Sequence, residues 1–326
     1  MSGLTVRAES WPTRGTWTIS RGSVTAVDLV IVELEQDGLV GRGECRPYAR
    51  YDESVESVTA QIEGLRDDLA QGLDRAALQA RLPAGAARNA LDCAFWDLEV
   101  KQSGKPVWQL LDLPAPAPLT TAYTLSLDSP EAMGAAAREN ANRPLLKLKL
   151  AGPDDLARVA AVRENAPDAR LIVDANEGWT RATAEGLIPA LAELGVELIE
   201  QPLPAGADAG LDGLARPVKL AADESCHDRA SLPALAGRYD VVNIKLDKTG
   251  GLTEALALKI AAEAAGFGIM VGCMVATSLA MAPAMLVAQG ALIVDLDGPL
   301  VLAEDRPDGI IFEGSLMQPA SPALWG

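Results

Sequence analysis

The sequence predicts an α/β protein: a (β/α)8-type TIM barrel joined to an α+β capping domain. Short apolar strands recur at roughly 25-residue spacing after residue 118, with Ala- and Leu-rich helical stretches between them. Charged residues stand at or near the ends of these strands, where barrel active sites lie. Before residue 118 the pattern is different, with long β-branched runs followed by helices.

In chain order, residues 4–9 and 24–35 read as strands rich in β-branched side chains, and Gln36-Asp37-Gly38 turns the second into Leu39-Val40-Gly41. Residues 53–82 and 86–103 read as helices, and Pro114, Pro116 and Pro118 form a linker that no regular element tolerates. The eight barrel strands are then expected at 119–127, 145–150, 170–175, 196–201, 219–224, 241–246, 267–272 and 291–296. Intervening helical stretches include 154–165, 180–194 and 252–265. Strands separated by helices require parallel pairing with crossovers. A doubly wound open sheet is the competitor, but no GxGxxG follows an early strand. Residues 264–294 carry no charge and match a membrane span in length, yet glycines, Pro283 and Gln289 interrupt them. They read as a buried strand, helix and strand. The expected domains are a cap at 1–118, to which 300–326 returns, and a barrel at 119–299.

Composition narrows the chemistry. The 326 residues include 45 acidic and 28 basic side chains, a net charge of −17, and only 4% are aromatic. Such a chain is poorly suited to nucleic acid, which needs clustered cations and stacking platforms. Cys45, Cys93, Cys226 and Cys273 lie far apart, fitting neither a zinc knuckle nor a disulfide framework, and the N-terminal residues show no apolar signal segment. A cytoplasmic protein is expected. His227 is the sole histidine, so multi-histidine metal sites are excluded and any metal is expected to have oxygen ligands, pointing to Mg²⁺ or Mn²⁺.

The charged strand residues carry the chemistry. Strand two holds Lys147 and Lys149, strand three ends in Asp174-Ala175-Asn176, strand four in Glu200-Gln201 and strand five in Asp223-Glu224. Strand six holds Asn243 and Lys245, and strand eight ends in Asp295-Leu296-Asp297. From 174 to 200, 200 to 223 and 223 to 245 the steps are 26, 23 and 22 residues, one repeat each. Side chains two apart share a face of a strand, which pairs Lys147 with Lys149, Asn243 with Lys245 and Asp295 with Asp297. Three carboxylates converging from adjacent strands repel unless a cation joins them. Lysines on strands two and six flank them from opposite sides, suiting removal of a proton from carbon and its return on the other face. Lys248 reads as a surface lysine, His227 as a structural neighbour of the site, and Cys273 and Met274 as packing near the pocket.

These strings, KLKL, VDAN, IEQPLP, ADES and NIKLDKTGGL, resemble the muconate-lactonising subgroup of the enolase superfamily, whose barrel is a modified (β/α)8 barrel. Within it the chain is most similar to the L-Ala-D/L-Glu dipeptide epimerases, through GRGECRPYARYDES, AGAARNALDCAFWDLE, ADESCH and DLDGP. The resemblance implies an isomerase that moves a proton at the α-carbon of a dipeptide's C-terminal residue, through an enediolate, in recycling of cell-wall peptides. It implies Mg²⁺ on Asp174, Glu200 and Asp223, acid/base roles for Lys149 and Lys245, and support from Lys147. Asp295 and Asp297 would take the substrate's ammonium group. Arg21 would meet the side-chain carboxylate of a C-terminal Glu, a task open equally to Arg46 or Arg50. The implied partner is a small-molecule dipeptide, with no nucleic acid and no membrane, and an oligomer is compatible with the sequence. The alternatives are an o-succinylbenzoate synthase, a muconate cycloisomerase, an N-acylamino-acid racemase or a non-catalytic Mg²⁺-dependent binding protein.

Overall fold

A computed structural model describes residues 3–152 and 154–326. The chain begins with a three-stranded antiparallel sheet, Gly3–Ile19, Gly22–Gln36 and Leu39–Cys45. The first strand runs well beyond the expected 4–9. Its apolar alternation breaks at Pro12–Trp17, where the register slips, but pairing resumes from Trp17 opposite Val24. The predicted helix at 53–82 is three short ones, Val55–Glu63, Arg66–Ala70 and Arg75–Arg81. Ser54 and Asp74 cap the first and third, so a continuous amphipathic pattern concealed two stops. Helix Ala86–Ser103 stands as expected and is buried nearly throughout, since it packs on the sheet and also faces the barrel.

The barrel strands are Tyr123–Leu125, Leu145–Lys149, Arg170–Asp174, Val196–Glu200, Lys219–Ala222, Val241–Ile244, Gly268–Gly272 and Ile293–Asp295, all parallel and in sequence order. The ring comes near closure where Ala122 donates its N–H to Val294 O (2.8 Å) and Leu296 to Thr121 Oγ1 (2.8 Å). The expected first strand, 119–127, is divided. Leu119–Thr120 pairs with Leu316–Met317 in a small antiparallel sheet outside the barrel, leaving Tyr123–Leu125 inside it.

Period two then sorts the side chains. Ala122, Leu145, Ile172, Leu198, Ala221, Val241, Met270 and Ile293 form one separate buried cluster, with one member from each strand or its immediate flank. This is the apolar floor of the barrel. Two residues further along each strand stand Thr124, Lys147, Asp174, Glu200, Asp223, Asn243, Gly272 and Asp295. The charged layer therefore lies directly above the floor, by the alternation of the strands alone. Outward-facing Leu146, Val173, Ile199, Leu220, Val242 and Val271 join the larger core under the helices.

Residues 300–326 run back over the cap. Ala303 N–H donates to Pro12 O (2.9 Å), and Arg306 pairs with Glu9 (2.7 Å) and Glu44 (2.6 Å). The buried Trp325 indole donates to Cys93 O (3.0 Å), Gly326 N–H to Asp97 (3.0 Å), and Arg42 to the carbonyls of Ala323 and Leu324 (2.6 Å each). The uncharged 264–294 stretch is a strand, helix Ser278–Ala288 and a strand; no helix among the described residues is long and apolar enough to cross a membrane.

Candidate active site

The mouth of the barrel holds a dense set of opposite charges, almost all buried. Asp174, Glu200 and Asp223 each offer a carboxylate oxygen, the three lying within 4.8 Å of one another. Lys147 Nζ bridges inside the ring, 2.6 Å from Glu200, 2.7 Å from Asp295 and 3.3 Å from Asp174. Lys149 contacts Asp174 and Lys245 contacts Asp223, both at 2.6 Å. Because strands two and six are half a ring apart, these two ammonium groups approach from opposed walls. Lys245 has room only because residue 272 is glycine: a Cβ there would lie 2.7 Å from Asn243 Oδ1 and 3.1 Å from Lys245 Cε.

Crowding and pairing pull the carboxyls apart in acidity. Burial and the charge of Asp174 raise Glu200 to about 8. Burial acts the same way on Asp174 and Asp223, but is outweighed by Lys149 and Lys147 at the first and by Lys245 and Lys248 at the second, so both fall. Lys147 is raised: its burial favours the neutral amine, and Asp295, Glu200 and Asp174 overcome it. Asp297, buried and beside Asp295, is pushed up to about 6. It lies two residues past the eighth strand, which ends at Asp295, so the two aspartates do not share a strand face as expected; it accepts from Thr124 N–H (2.6 Å) and stands at the N-cap of the short helix Gly298–Val301.

Several buried oxygens here accept no hydrogen bond: Asn176 Oδ1, Asn243 Oδ1, Asp295 Oδ1 and Glu224 Oε2. Buried polar atoms are rarely left in this way, so the mouth is built to receive groups from outside the chain. An all-oxygen donor set with no histidine or thiol fits a hard divalent ion such as Mg²⁺.

The cap closes one side of a cavity of about 790 Å³ that includes Lys147, Lys149, Lys245, Asp223, Asp295 and Asp297 in its lining. Arg21 reaches down from the turn at Ser20–Arg21 to Glu224 (2.8 Å), Glu177 (3.2 Å), Asn176 O (3.0 Å) and Tyr48 Oη (3.0 Å). Arg50, from the next cap loop, holds both oxygens of Glu177 at 2.7 Å. Glu224 is raised to about 7 by burial and by Asp223 and Asp174. The predicted site residues are thus brought to one cavity or, for Asp174 and Glu200, to the charge cluster beneath it.

Two residues differ from the sequence reading. Lys248 is not a surface lysine: it is 1% exposed and gives its ammonium to Asp223 Oδ1 (2.5 Å), Asp223 O and Asn243 O. The short helix Leu246–Thr249 begins immediately after Lys245 and turns Lys248 back under the strand, which a strand-based reading cannot foresee. Glu177 was passed over, although it ties two cap loops to the barrel; its signal was an acid directly after VDAN. His227 sits edge-on to Tyr51 (4.8 Å) with Nε2 3.1 Å from Glu224 O, beside the site. Trp179, unassigned from sequence, is buried and donates to Asp155 (2.7 Å).

Residues 1–112 match the mandelate racemase / muconate lactonizing enzyme N-terminal domain, and residues 132–305 the enolase C-terminal domain-like family. An L-Ala-D/L-Glu epimerase of Escherichia coli (strain K12) is 47% identical over 96% of this chain and 98% of its own. An N-acetyl-D-glutamate racemase of Pseudoalteromonas sp. is 48% identical over 91% and 95%. Among solved structures, an enolase family member from Agrobacterium tumefaciens with homology to dipeptide epimerases, bound to sodium and L-Ala-L-Glu, has a TM-score of 0.97 at 55% identity, covering 99% of both chains. A dipeptide epimerase from Enterococcus faecalis V583, complexed with Mg and L-Leu-L-Tyr, has a TM-score of 0.91 at 32% identity, covering 99% and 98%.

Proposed function

We propose, from the premise that this chain belongs to the mandelate racemase / muconate lactonizing enzyme family of enolase-like proteins, that it is a dipeptide epimerase acting on L-Ala-D/L-Glu. The observation that carries the reading is the opposed pair Lys149 and Lys245, each 2.6 Å from a carboxylate of one acidic cluster. Binding alone needs no amine on each face; inversion at carbon needs both. One lysine takes the α-proton of the C-terminal residue, and the other delivers a proton to the opposite face of the planar carbon. Asp174, Glu200 and Asp223 would hold Mg²⁺, which supplies positive charge against the charge that develops on the substrate carboxylate. Lys147 adds its fixed charge and holds Glu200 and Asp295 in place. Asp295, with an oxygen that accepts from nothing in the chain, and Asp297 receive the dipeptide's ammonium. Arg21 takes the carboxylate of the C-terminal Glu, exchanging part of its hold on Glu224 for the substrate. A cap at 1–118 completed by 300–326, over a barrel at 119–299, is the division this reading uses. Four free cysteines fit a cytoplasmic setting, and the substrate fits recycling of cell-wall peptides.

A second reading is favoured by the 48% identity to an N-acetyl-D-glutamate racemase, whose name describes a substrate with no ammonium group. The two are separated by incubating the enzyme with Mg²⁺ in D₂O and either L-Ala-L-Glu or N-acetyl-L-glutamate. Deuteron uptake confined to the dipeptide, lost with Asn at both 295 and 297, is the expected result. Preferred turnover of the N-acetyl compound would replace the epimerase reading with the racemase one.

A further inference from the structure

In each of the three clustered carboxylates, one oxygen is held by a donor of the chain. Asp174 Oδ1 accepts the N–H of Asn176 (2.9 Å), Glu200 Oε1 accepts from Asn243 Nδ2 (2.7 Å) and Asp223 Oδ1 accepts from Lys248 Nζ (2.5 Å). The other oxygen of each meets side chains that line the cavity. These are Lys149, Lys147 and Asn176 at Asp174 Oδ2, Lys147 at Glu200 Oε2, and Lys245 at Asp223 Oδ2.

The three holds are unequal. Asn176 N–H and the Asn243 amide are neutral donors, and an oxygen that accepts one such bond keeps a lone pair for a cation. Lys248 carries a full charge and is buried. Its three N–H bonds match three acceptors, Asp223 Oδ1, Asp223 O and Asn243 O (3.0 Å), so the ammonium cannot turn aside without leaving a buried donor unpaired. A cation approaching Asp223 Oδ1 would therefore meet a fixed positive charge beside that oxygen. Asp223 has only Oδ2 to offer.

Denticity is where hard divalent ions part. Ca²⁺ gathers many oxygens in loose geometry and favours carboxylates that give it both. Mg²⁺ is smaller, requires a nearly ideal octahedron and is served by single carboxylate oxygens, with water or substrate in the remaining places. We propose that Lys248 confines Asp223 to one coordinating oxygen and thereby determines which divalent ion the site retains, Mg²⁺ over Ca²⁺. The inference rests on the metal assignment in the reading above. Lys248 is then a positioning residue, since it acts through Asp223.

The test binds Mn²⁺, followed by electron paramagnetic resonance, and displaces it with Mg²⁺ or Ca²⁺ in the unaltered enzyme, Lys248→Met and Lys248→Arg. The unaltered enzyme should take Mg²⁺ more tightly than Ca²⁺. In Lys248→Met the ratio of Ca²⁺ to Mg²⁺ affinity should rise about 10-fold, the lower end of what groups holding a metal's ligands contribute. Lys248→Arg, which keeps a cation against Oδ1, should stay near the unaltered ratio. Each ratio is taken within one preparation, so it is independent of the fraction that folds, and a merely loosened site would weaken both ions alike. An unchanged ratio in Lys248→Met, or an equal rise in Lys248→Arg, would overturn the assignment. So would Ca²⁺ binding as tightly as Mg²⁺ in the unaltered enzyme, a result available even if neither variant folds. Absence of any Mn²⁺ binding by the unaltered enzyme would instead overturn the metal assignment itself, and this inference with it.

Discussion

At the scale of single residues, substitution separates the duties proposed for the lysines and aspartates of the barrel mouth. Lys149→Ala and Lys245→Ala should each lose epimerisation by about 10²–10⁴-fold, the worth of one positioned acid or base. Each variant should still exchange the α-proton of the isomer its remaining lysine reaches, which proton NMR in D₂O records; an unimpaired epimerisation rate in either would remove the two-base scheme. Asp223→Asn should weaken binding of Mn²⁺, followed by electron paramagnetic resonance, and EDTA should abolish activity of the unaltered enzyme. Full turnover after exhaustive chelation would refute the metal role. The acidic triad was legible because each carboxylate ends a strand one repeat after the last. Lys248 escaped notice because a turn of helix reversed its direction.

At the scale of elements, the junction between cap and barrel is the turn after strand six. Arg88 of the long cap helix donates to Thr249 O (2.6 Å) and Gly250 O (3.2 Å), and a Cβ at Gly250, whose φ is +77°, would fall 2.4 Å from Arg88 Nε. Asp247 binds the same seam through one oxygen, accepting from Asn89 Nδ2 (2.8 Å) and Arg46 N–H (3.1 Å). Burial raises its carboxyl to about 7. Since the folded state holds this proton more tightly than the unfolded chain, stability from this group is fullest below the ordinary carboxylate range and declines as pH rises to about 7. Asp247→Asn keeps an acceptor oxygen and removes the titration, so its Tm should fall less than that of the unaltered protein between pH 5 and 8. A parallel pair of Tm–pH curves would show that Asp247 does not titrate there. Strand positions were readable from hydrophobic period, since alternation places floor and site two residues apart. Helix ends in the cap were less so: Gly64 and Gly72 are tolerated by pattern but end helices in the fold.

At the scale of the whole molecule, chain regions distant in sequence complete one another. Trp325 is buried and its indole is bonded to Cys93 O, so Trp325→Ala should cost about 3–5 kcal/mol, read by urea denaturation. A change below 1 kcal/mol would mean that the tail only rests on the cap. The sequence reading expects 300–326 to return to the cap, but it cannot foresee these contacts, because local pattern carries no information about which groups an irregular segment meets. The docking does set a schedule for the cell. Cys93 and Trp325 are 232 residues apart, so the cap leaves the ribosome long before the segment that seals it is made. Throughout that interval the groove awaiting the indole is uncovered, and it can engage other nascent chains or a chaperone. The portion of the protein synthesised first is among the last to be finished.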